Sequence, residues 1–460
     1  MALFFQRRGR ALLLQYYDSD ETAYLDESVN CARQALSVSL PSERAVCLND
    51  LGCRLHERFK RFGRIPDISE AIELAAQASV IIEDSLKPIV LNNLATYLGE
   101  RFEKRKDVLD LDRGIAVGQD ALYASRSDVE LQARSLGVLS LLHGYRSRKL
   151  DSLDDLEGAI GMGEQSLQMT AQDHEDRLML LGNLGTYYEH RFVRLGGLTD
   201  IGKAIEYAQE AVDLTDDDTE EHLLKLQNLS NALGCRYSVT NDPQDLQYAI
   251  ENGERTVSLT PEDHPDWPGR LHNLSVLLKD RFVRFEDMSD LDQAIELERS
   301  AIGTTSSNDS ALAVHWDHAG VLLAFKYKSN RDMSVLDMSI LYGQLAVDLT
   351  TDDNDPDLPG YLSNLAAGIC RRFDITDNLS ELNQAIQLGR RALGAIPQDN
   401  PDRIDLALDL GDYLHNRYTK MGSIEDLKEA VELTEVASKT ILPYNFHRPG
   451  QLCTLSRRLL

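Results

Sequence analysis

A unit of 43–46 residues repeats through this chain and constrains its fold more than any other feature. The unit is clearest between Thr260 and Ile302, as a loop, a helix, a turn and a second helix. Such a period indicates a solenoid, in which each unit packs on its neighbours instead of around one central core. The anchor residues of the ten units are Val29, Ile72, Ile115, Ile160, Ile205, Ile250, Ile295, Ile340, Ile386 and Val431.

Because a repeat array grows in one dimension, we assign residues 1–460 to a single repeat domain. We expect the units at 1–40, 41–84, 85–127, 128–172, 173–217, 218–262, 263–307, 308–354, 355–399 and 400–446, with a partial unit at 447–460.

The start of each second helix is marked by a helix-capping residue eight positions before the anchor. These residues are Asp107, Ser152, Gly197, Asp242, Asp287, Asp332, Asn378 and Ser423. Three positions later an acid usually follows, as Asp290 follows Asp287, which predicts a capping box. A small residue such as Ala294 precedes every anchor and predicts close approach of neighbouring helices.

The first helix of each unit carries leucines and an aromatic residue on one face, in the pattern L-x-N-L-x-x-x-L-x-x-R-F. We expect the aromatic residues to pack in the core. They are Tyr16, Phe59, Phe102, Tyr145, Phe192, Tyr237, Phe282, Tyr327, Phe373 and Tyr418.

These motifs resemble tetratricopeptide (TPR) repeats of the long-period kind. The DHPD loop at 263–266, followed by L-x-N-L, is similar to kinesin light chain repeats. The chain is most similar to the TPR regions of fungal proteins in which TPR units precede a CHAT domain, a caspase-like His/Cys protease fold. The resemblance covers essentially the whole chain. It implies an all-α solenoid, a right-handed superhelix of about ten helix-turn-helix repeats whose first helices line the concave face.

The same resemblance implies a non-enzymatic scaffold that binds a peptide or protein in the concave groove. The alternative is an N-terminal sensor or regulatory region of a CHAT protease whose catalytic domain is not in this chain. A stretch beyond Leu460 that holds a catalytic His and Cys would favour the alternative.

In kinesin-light-chain-like arrays, asparagines of this motif form a ladder that holds the backbone of a bound peptide. The resemblance places that ladder at Asn93, Asn183, Asn228, Asn273 and Asn364. Asp50, Leu136, His318 and Asp409 interrupt it. The ladder could equally be structural, because an asparagine can hydrogen-bond between neighbouring helices and fix their stacking.

An arginine column precedes the aromatic column. Its members Arg101, Arg191, Arg236 and Arg281 are candidate groove residues for acidic peptides, and Arg58, Arg372 and Arg417 are equivalent. Alternatively these arginines satisfy carbonyl groups at the helix C-terminus, or pair with the acids that begin the second helix.

Composition and motifs narrow the function further. Lys and Arg total 48 against 75 Asp and Glu, a net charge of −27 that disfavours nucleic acid and anionic membranes as partners. Six scattered cysteines with no CxxC pair predict free, mostly buried thiols and a reducing, cytoplasmic location.

The sequence contains no GxxxxGK[ST] loop, GxSxG elbow or HExxH helix, and we expect neither catalysis nor a cofactor. His315 and His318 could share one helix face, but no third ligand has a matching spacing, so we expect no metal site. The apolar ends at Phe4–Phe5 and Leu452–Leu460 predict possible self-association.

Overall fold

The computed structural model describes residues 1–82, 85–174, 176–217, 219–307, 309–353, 355–397, 400 and 402–440. These residues form twenty α-helices and no β-strand, which confirms the predicted all-α class. The helices form ten pairs, each with a first and a second helix joined by a short turn. The predicted partial unit at 447–460 lies outside the described residues.

The chain divides into two compact units, Met1–Leu214 and Thr215–Leu460, and the described residues of each unit form five pairs. The assignment of all residues to a single domain therefore stays a prediction. The helices of the first unit are α1 (Ala2–Ser19), α2 (Thr22–Ser37), α3 (Arg44–Phe62), α4 (Ile65–Ile81), α5 (Lys87–Arg105), α6 (Val108–Ala124), α7 (Val129–Leu150), α8 (Leu153–Met169), α9 (Asp176–Leu195) and α10 (Leu198–Asp213).

The second unit repeats the same arrangement. Its helices are α11 (Glu220–Thr240), α12 (Pro243–Leu259), α13 (Trp267–Phe285), α14 (Met288–Thr304), α15 (Ala311–Asn330), α16 (Met333–Leu349), α17 (Leu358–Thr376), α18 (Leu379–Ala395), α19 (Arg403–Met421) and α20 (Ile424–Thr440).

Within each unit a helix packs mainly on its neighbours in the chain. In the second unit α14 packs against α13, its partner in the pair, and against α15, the first helix of the next pair. In the first unit α4 packs in the same way on α3 and α5. This nearest-neighbour packing defines a solenoid and confirms the predicted helix-turn-helix repeat architecture.

Each first helix ends one residue before a residue in the left-handed conformation. At Glu286, φ is 60°, and its N–H donates to the carbonyl oxygen of Phe282 at 2.7 Å. The next residue, Asp287, is already the N-cap of α14. Two residues therefore reverse the chain, because the left-handed residue satisfies the end of one helix and lets the next begin at once. The left-handed residues are Asp20, Gly63, Lys106, Asp151, Gly196, Asn241, Glu286, Arg331, Asp377 and Gly422.

The predicted N-caps of the second helices are confirmed. Oδ1 of Asp287 accepts a hydrogen bond from the N–H of Ser289 at 2.9 Å, and Asp242 and Asp332 act in the same way. The acid three residues later does not complete a capping box. The carboxylate of Asp290 accepts from Arg281 instead of turning back to Asp287.

The core follows the predicted columns of small and aromatic residues. Seven of the ten column aromatics are buried, which confirms their role in packing. Ala249 and Ala294 are fully buried, and their carbonyl oxygens accept hydrogen bonds from Ser230 (2.7 Å) and Ser275 (3.1 Å) on the paired first helix. The small side chains therefore bring the two backbones of a pair within reach of one hydroxyl group.

Five of the six cysteines lie in the described residues and form no disulfide with one another, as predicted. Cys31, Cys47 and Cys370 are buried, and Cys53 and Cys235 are half-buried. Cys453 lies outside the described residues.

Candidate functional site

The arginine column lies at the joint between the two helices of a pair. Arg281 donates from Nε to Oδ2 of Asp290 at 2.9 Å and from Nη2 to Oδ1 at 2.6 Å. This two-pronged geometry matches the planar guanidinium to the carboxylate. The hydrogen bond to Asp290 stabilises the charged guanidinium more than desolvation destabilises it, and it therefore raises the pKa of Arg281. The same pair of bonds joins Arg101 to Asp110, Arg191 to Asp200, and Arg236 to Asp245.

Some members of the column also reach the preceding pair. Nη1 of Arg58 lies 3.1 Å from Oδ1 of Asp26 on α2. Lys326, which takes the place of the arginine directly before Tyr327, has its Nζ 2.8 Å from Oδ1 of Asp292 on α14. Arg58, which also bonds to Asp67, thus links the start of its own second helix to the second helix before it. Because protein carboxylates already match these cations, the arginine column has a structural role, and its use for acidic peptides stays a prediction.

Two of the five candidate asparagines join neighbouring pairs. The Nδ2 of Asn93 donates to Oδ1 of Asn49 on α3 at 3.1 Å. The Nδ2 of Asn364 donates to Oδ2 of Asp317 on α15 at 2.9 Å. Both side chains fix the stacking of one first helix on the previous one, which is the structural alternative that the sequence left open.

The other three candidate asparagines differ. Asn183, Asn228 and Asn273 are half-buried, and within the described part of the chain their amides have no hydrogen-bond partner. Asn228 on α11 and Asn273 on α13 occupy equivalent positions of neighbouring first helices in the second unit. Asn183 occupies that position in the first unit. The ladder therefore contains two asparagines that bond to the preceding pair and three whose amides have no hydrogen-bond partner in the described residues. We call these three the available asparagines, and their side-chain amides the available amides.

A cleft of about 270 Å³ lies beside Asn364, between α15 and α17 of the second unit. Asp317, Phe325 and Arg371 are among its lining residues. Oδ1 of Asp317 is buried without a hydrogen-bond partner in the described residues, and burial raises the pKa of this carboxyl group to about 6. The cleft thus has apolar lining residues beside a buried carboxyl group.

The structure also brings together a cluster that the sequence interpretation missed. His272 and His318 each place Nδ1 at 2.7 Å from Oε1 of Glu298, and His315 places Nδ1 at 3.1 Å from Oε2. Glu298 is fully buried. Sequence spacing indicates only His315 and His318, because His272 lies on the preceding first helix and Glu298 lies on the intervening second helix.

Electrostatics in this cluster favour the ionised carboxylate. Burial alone would raise the pKa of Glu298, but hydrogen bonds from His272, His315 and His318 outweigh burial and hold its pKa well below the usual range. Desolvation lowers the pKa of His318. The cluster is a buried anion surrounded by three imidazoles.

Comparisons with known proteins agree with the fold. No protein-family model matches the chain, and no curated protein matches it. Among solved structures, the apo form of the quorum sensor NprR from B. thuringiensis has a TM-score of 0.51 at 10% identity, covering 85% of this chain and 97% of that one. A kinesin-light-chain-like protein of Podosopora anserina, with nearly identical TPR-like repeats, has a TM-score of 0.35 at 14% identity, covering 47% and 96%.

The fold is therefore that of a TPR-like all-α solenoid, as the sequence resemblance implied. These likenesses concern the fold alone. The CHAT association, the fungal origin and the absence of catalysis stay predictions from the sequence.

Two further observations concern the surface. Among the described helices, none has both the length and the apolar composition required to cross a bilayer. Phe4 is 62% exposed on α1, whereas Leu452–Leu460 lies outside the described residues. Self-association through these ends stays a prediction.

Proposed function

We propose that this chain is a protein-interaction scaffold, and that α11 and α13 of the second unit bind an extended segment of a partner protein. The observation that carries the proposal is the pair of available amides at Asn228 and Asn273. They occupy the same position on neighbouring first helices, and neither has a hydrogen-bond partner in the described residues.

The helix itself does not explain these asparagines. An asparagine in mid-helix is mildly unfavourable, because its amide competes with the backbone for hydrogen bonds. At Asn93 and Asn364 a hydrogen bond to the preceding pair offsets that cost. Among the described residues no such bond offsets it at Asn228 and Asn273, which supports a role toward a ligand.

A peptide backbone fits the chemistry of these side chains. Each amide offers a donor and an acceptor, and so does each peptide group of an extended chain. One such hydrogen bond contributes about 1 kcal/mol net, so several are needed for useful affinity. The cleft lined by Asp317 and Phe325, on the helices that follow α13 and α14, offers space for a partner side chain.

A peptide-display selection against the full chain tests this proposal. Selected peptides are then measured by fluorescence anisotropy against the wild type and the Asn228→Ala/Asn273→Ala double variant. Loss of two hydrogen bonds, about 2 kcal/mol, predicts roughly 30-fold weaker binding. Unchanged affinity in the double variant, or the absence of any selected peptide, would contradict the proposal.

The variant Asn364→Ala serves as the structural control in the same unit. It removes a hydrogen bond between pairs, so we expect a lower melting temperature. Asn228→Ala/Asn273→Ala should melt like the wild type, because these amides have no hydrogen-bond partner in the described part of the chain. In the first unit, Asn183→Ala should also leave melting unchanged, and its effect on binding is measured separately.

A further inference from the structure

The cluster of His272, His315, His318 and Glu298 interrupts a regular feature of the repeat. Glu298 stands three residues after the anchor Ile295, where the other nine units have only small residues. Those residues are Ala32, Ala75, Gly118, Gly163, Ala208, Gly253, Gly343, Gly389 and Thr434. A buried glutamate is therefore the exception at a position that otherwise favours close helix packing.

The neighbouring first helix shows a compensating change. At Gly253 an added Cβ would lie 3.3 Å from a side-chain carbon of Leu274, and at Gly389 it would lie 3.3 Å from Leu410. The residue equivalent to these leucines next to Glu298 is Ala319, which is itself buried. Relative to the other units, α14 thus carries a larger residue at Glu298, and α15 carries a smaller one at Ala319. The small side chain of Ala319 leaves room for the carboxylate.

Internal hydrogen bonding does not fully satisfy the cluster. An imidazole that donates from Nδ1 to the carboxylate keeps a lone pair on Nε2. The Nε2 atoms of His315 and His318 are buried with no hydrogen-bond partner among the described residues. With neutral imidazoles, the cluster also carries the full negative charge of a buried carboxylate, which is costly without a matching cation.

We propose that His272, His318 and Glu298 form a binding site for a divalent transition-metal ion of the Zn²⁺ class. One ligand atom from each residue lies within 4.8 Å of the other two. Two imidazoles and one carboxylate suit Zn²⁺, Fe²⁺ and Co²⁺, whereas Mg²⁺ and Ca²⁺ prefer oxygen ligands throughout. His315 holds the second carboxylate oxygen and orients Glu298 toward the ion.

The placement gives the ion a route to solvent and an open coordination position. The side chains of His272 and His318 are 20% and 12% exposed, whereas Glu298 is fully buried. Three protein ligands leave a fourth position for water or a ligand group. His272 also directly precedes Asn273, although the metal site does not depend on the proposed peptide binding.

Metal titration of the chelator-treated full chain tests this inference. We expect calorimetry to show one Zn²⁺ or Co²⁺ bound per chain, with visible ligand-field bands for Co²⁺ and no comparable binding of Mg²⁺ or Ca²⁺. His272→Ala and His318→Ala should each abolish stoichiometric binding. His315→Ala should weaken Zn²⁺ binding by roughly tenfold to a hundredfold, because it removes only the orienting contact.

A second group, in which the half-buried His264 lies between the exposed Glu220 and Asp266, provides the matched control. His264→Ala should keep the full stoichiometry and the Co²⁺ spectrum. Circular dichroism checks that each variant is folded. His272 and His318 are partly exposed, so their replacement should disturb the core least. Absence of stoichiometric binding in the wild type, or loss of binding in His264→Ala with retention in folded His272→Ala and His318→Ala, would overturn the inference.

Discussion

Arg281 and Asp290, nine residues apart, join the end of α13 to the start of α14 through two hydrogen bonds of 2.9 and 2.6 Å. Asp290 is only 4% exposed, so its charge depends on this arginine for compensation. The same relationship recurs along the chain, from Arg58 with Asp67 to Arg417 with Asp426. It sets the geometry of the turn in each of these pairs.

Replacing Arg281 by Met should therefore lower the free energy of unfolding by about 3 kcal/mol, because it leaves a buried carboxylate without its partner. The control is Arg299→Met. Arg299 pairs with Glu296 at 2.6 Å, but both side chains are more than half exposed, and such pairs contribute about 0–1 kcal/mol. Urea denaturation followed by circular dichroism measures both. Equal losses in the two variants would show that the buried pair contributes no more to the free energy of unfolding than the exposed pair.

The same pairs predict how stability depends on pH. The hydrogen bond from Arg417 lowers the pKa of Asp426 below its usual value, so the unfolded state binds the proton more readily. The stability that this ion pair contributes is fully present when the pH lies above the unfolded-state pKa of Asp426, and it is lost as the pH falls through the folded-state pKa of Asp426. We expect the urea midpoint of the wild type to fall between about pH 5 and pH 2, and Arg417→Met to show a shallower fall. Parallel pH profiles of the two proteins would contradict this assignment.

The left-handed turn residues offer a stabilising substitution. Glu286 has a φ of 60°, where a side chain costs about 1 kcal/mol relative to glycine. Glu286→Gly should therefore raise the free energy of unfolding by roughly 0.5–1 kcal/mol. Gly63→Ala is the reciprocal control. At Gly63 φ is 64°, and no atom lies within 4 Å of an added Cβ. Gly63→Ala should therefore lower the free energy of unfolding by a similar amount, through the backbone conformation alone. A destabilising Glu286→Gly would contradict this explanation of the turn.

Much of the fold was predictable because each helix signal is local. Asp287 caps a helix, Ala294 permits close packing and Phe282 fills the joint, and each role can be inferred from spacing within one unit. The partner of Asp290 was harder to predict, because both a capping box and an arginine pair are compatible with that spacing. The structure selects Arg281, whose fork reaches the carboxylate across the turn.

The candidate sites were less predictable because they depend on contacts between units. Nothing in the sequence distinguishes Asn93, which bonds to Asn49, from Asn273, whose amide has no partner in the described residues. The histidine cluster combines side chains from α13, α14 and α15. A signal was nevertheless present, since Glu298 breaks a column of small residues and Ala319 breaks a column of leucines.

In the proposed function, the partner contacts first helices through the available asparagines Asn228 and Asn273. The most direct measurement places a photocrosslinking amino acid at Val276, one turn after Asn273 on α13, and at the exposed Glu296 on α14. A display-selected peptide should crosslink at position 276 and not at 296, and the Asn228→Ala/Asn273→Ala background should reduce the product in line with roughly 30-fold weaker binding. Crosslinking at 296 alone, or an undiminished product at 276 in the double variant, would contradict the account.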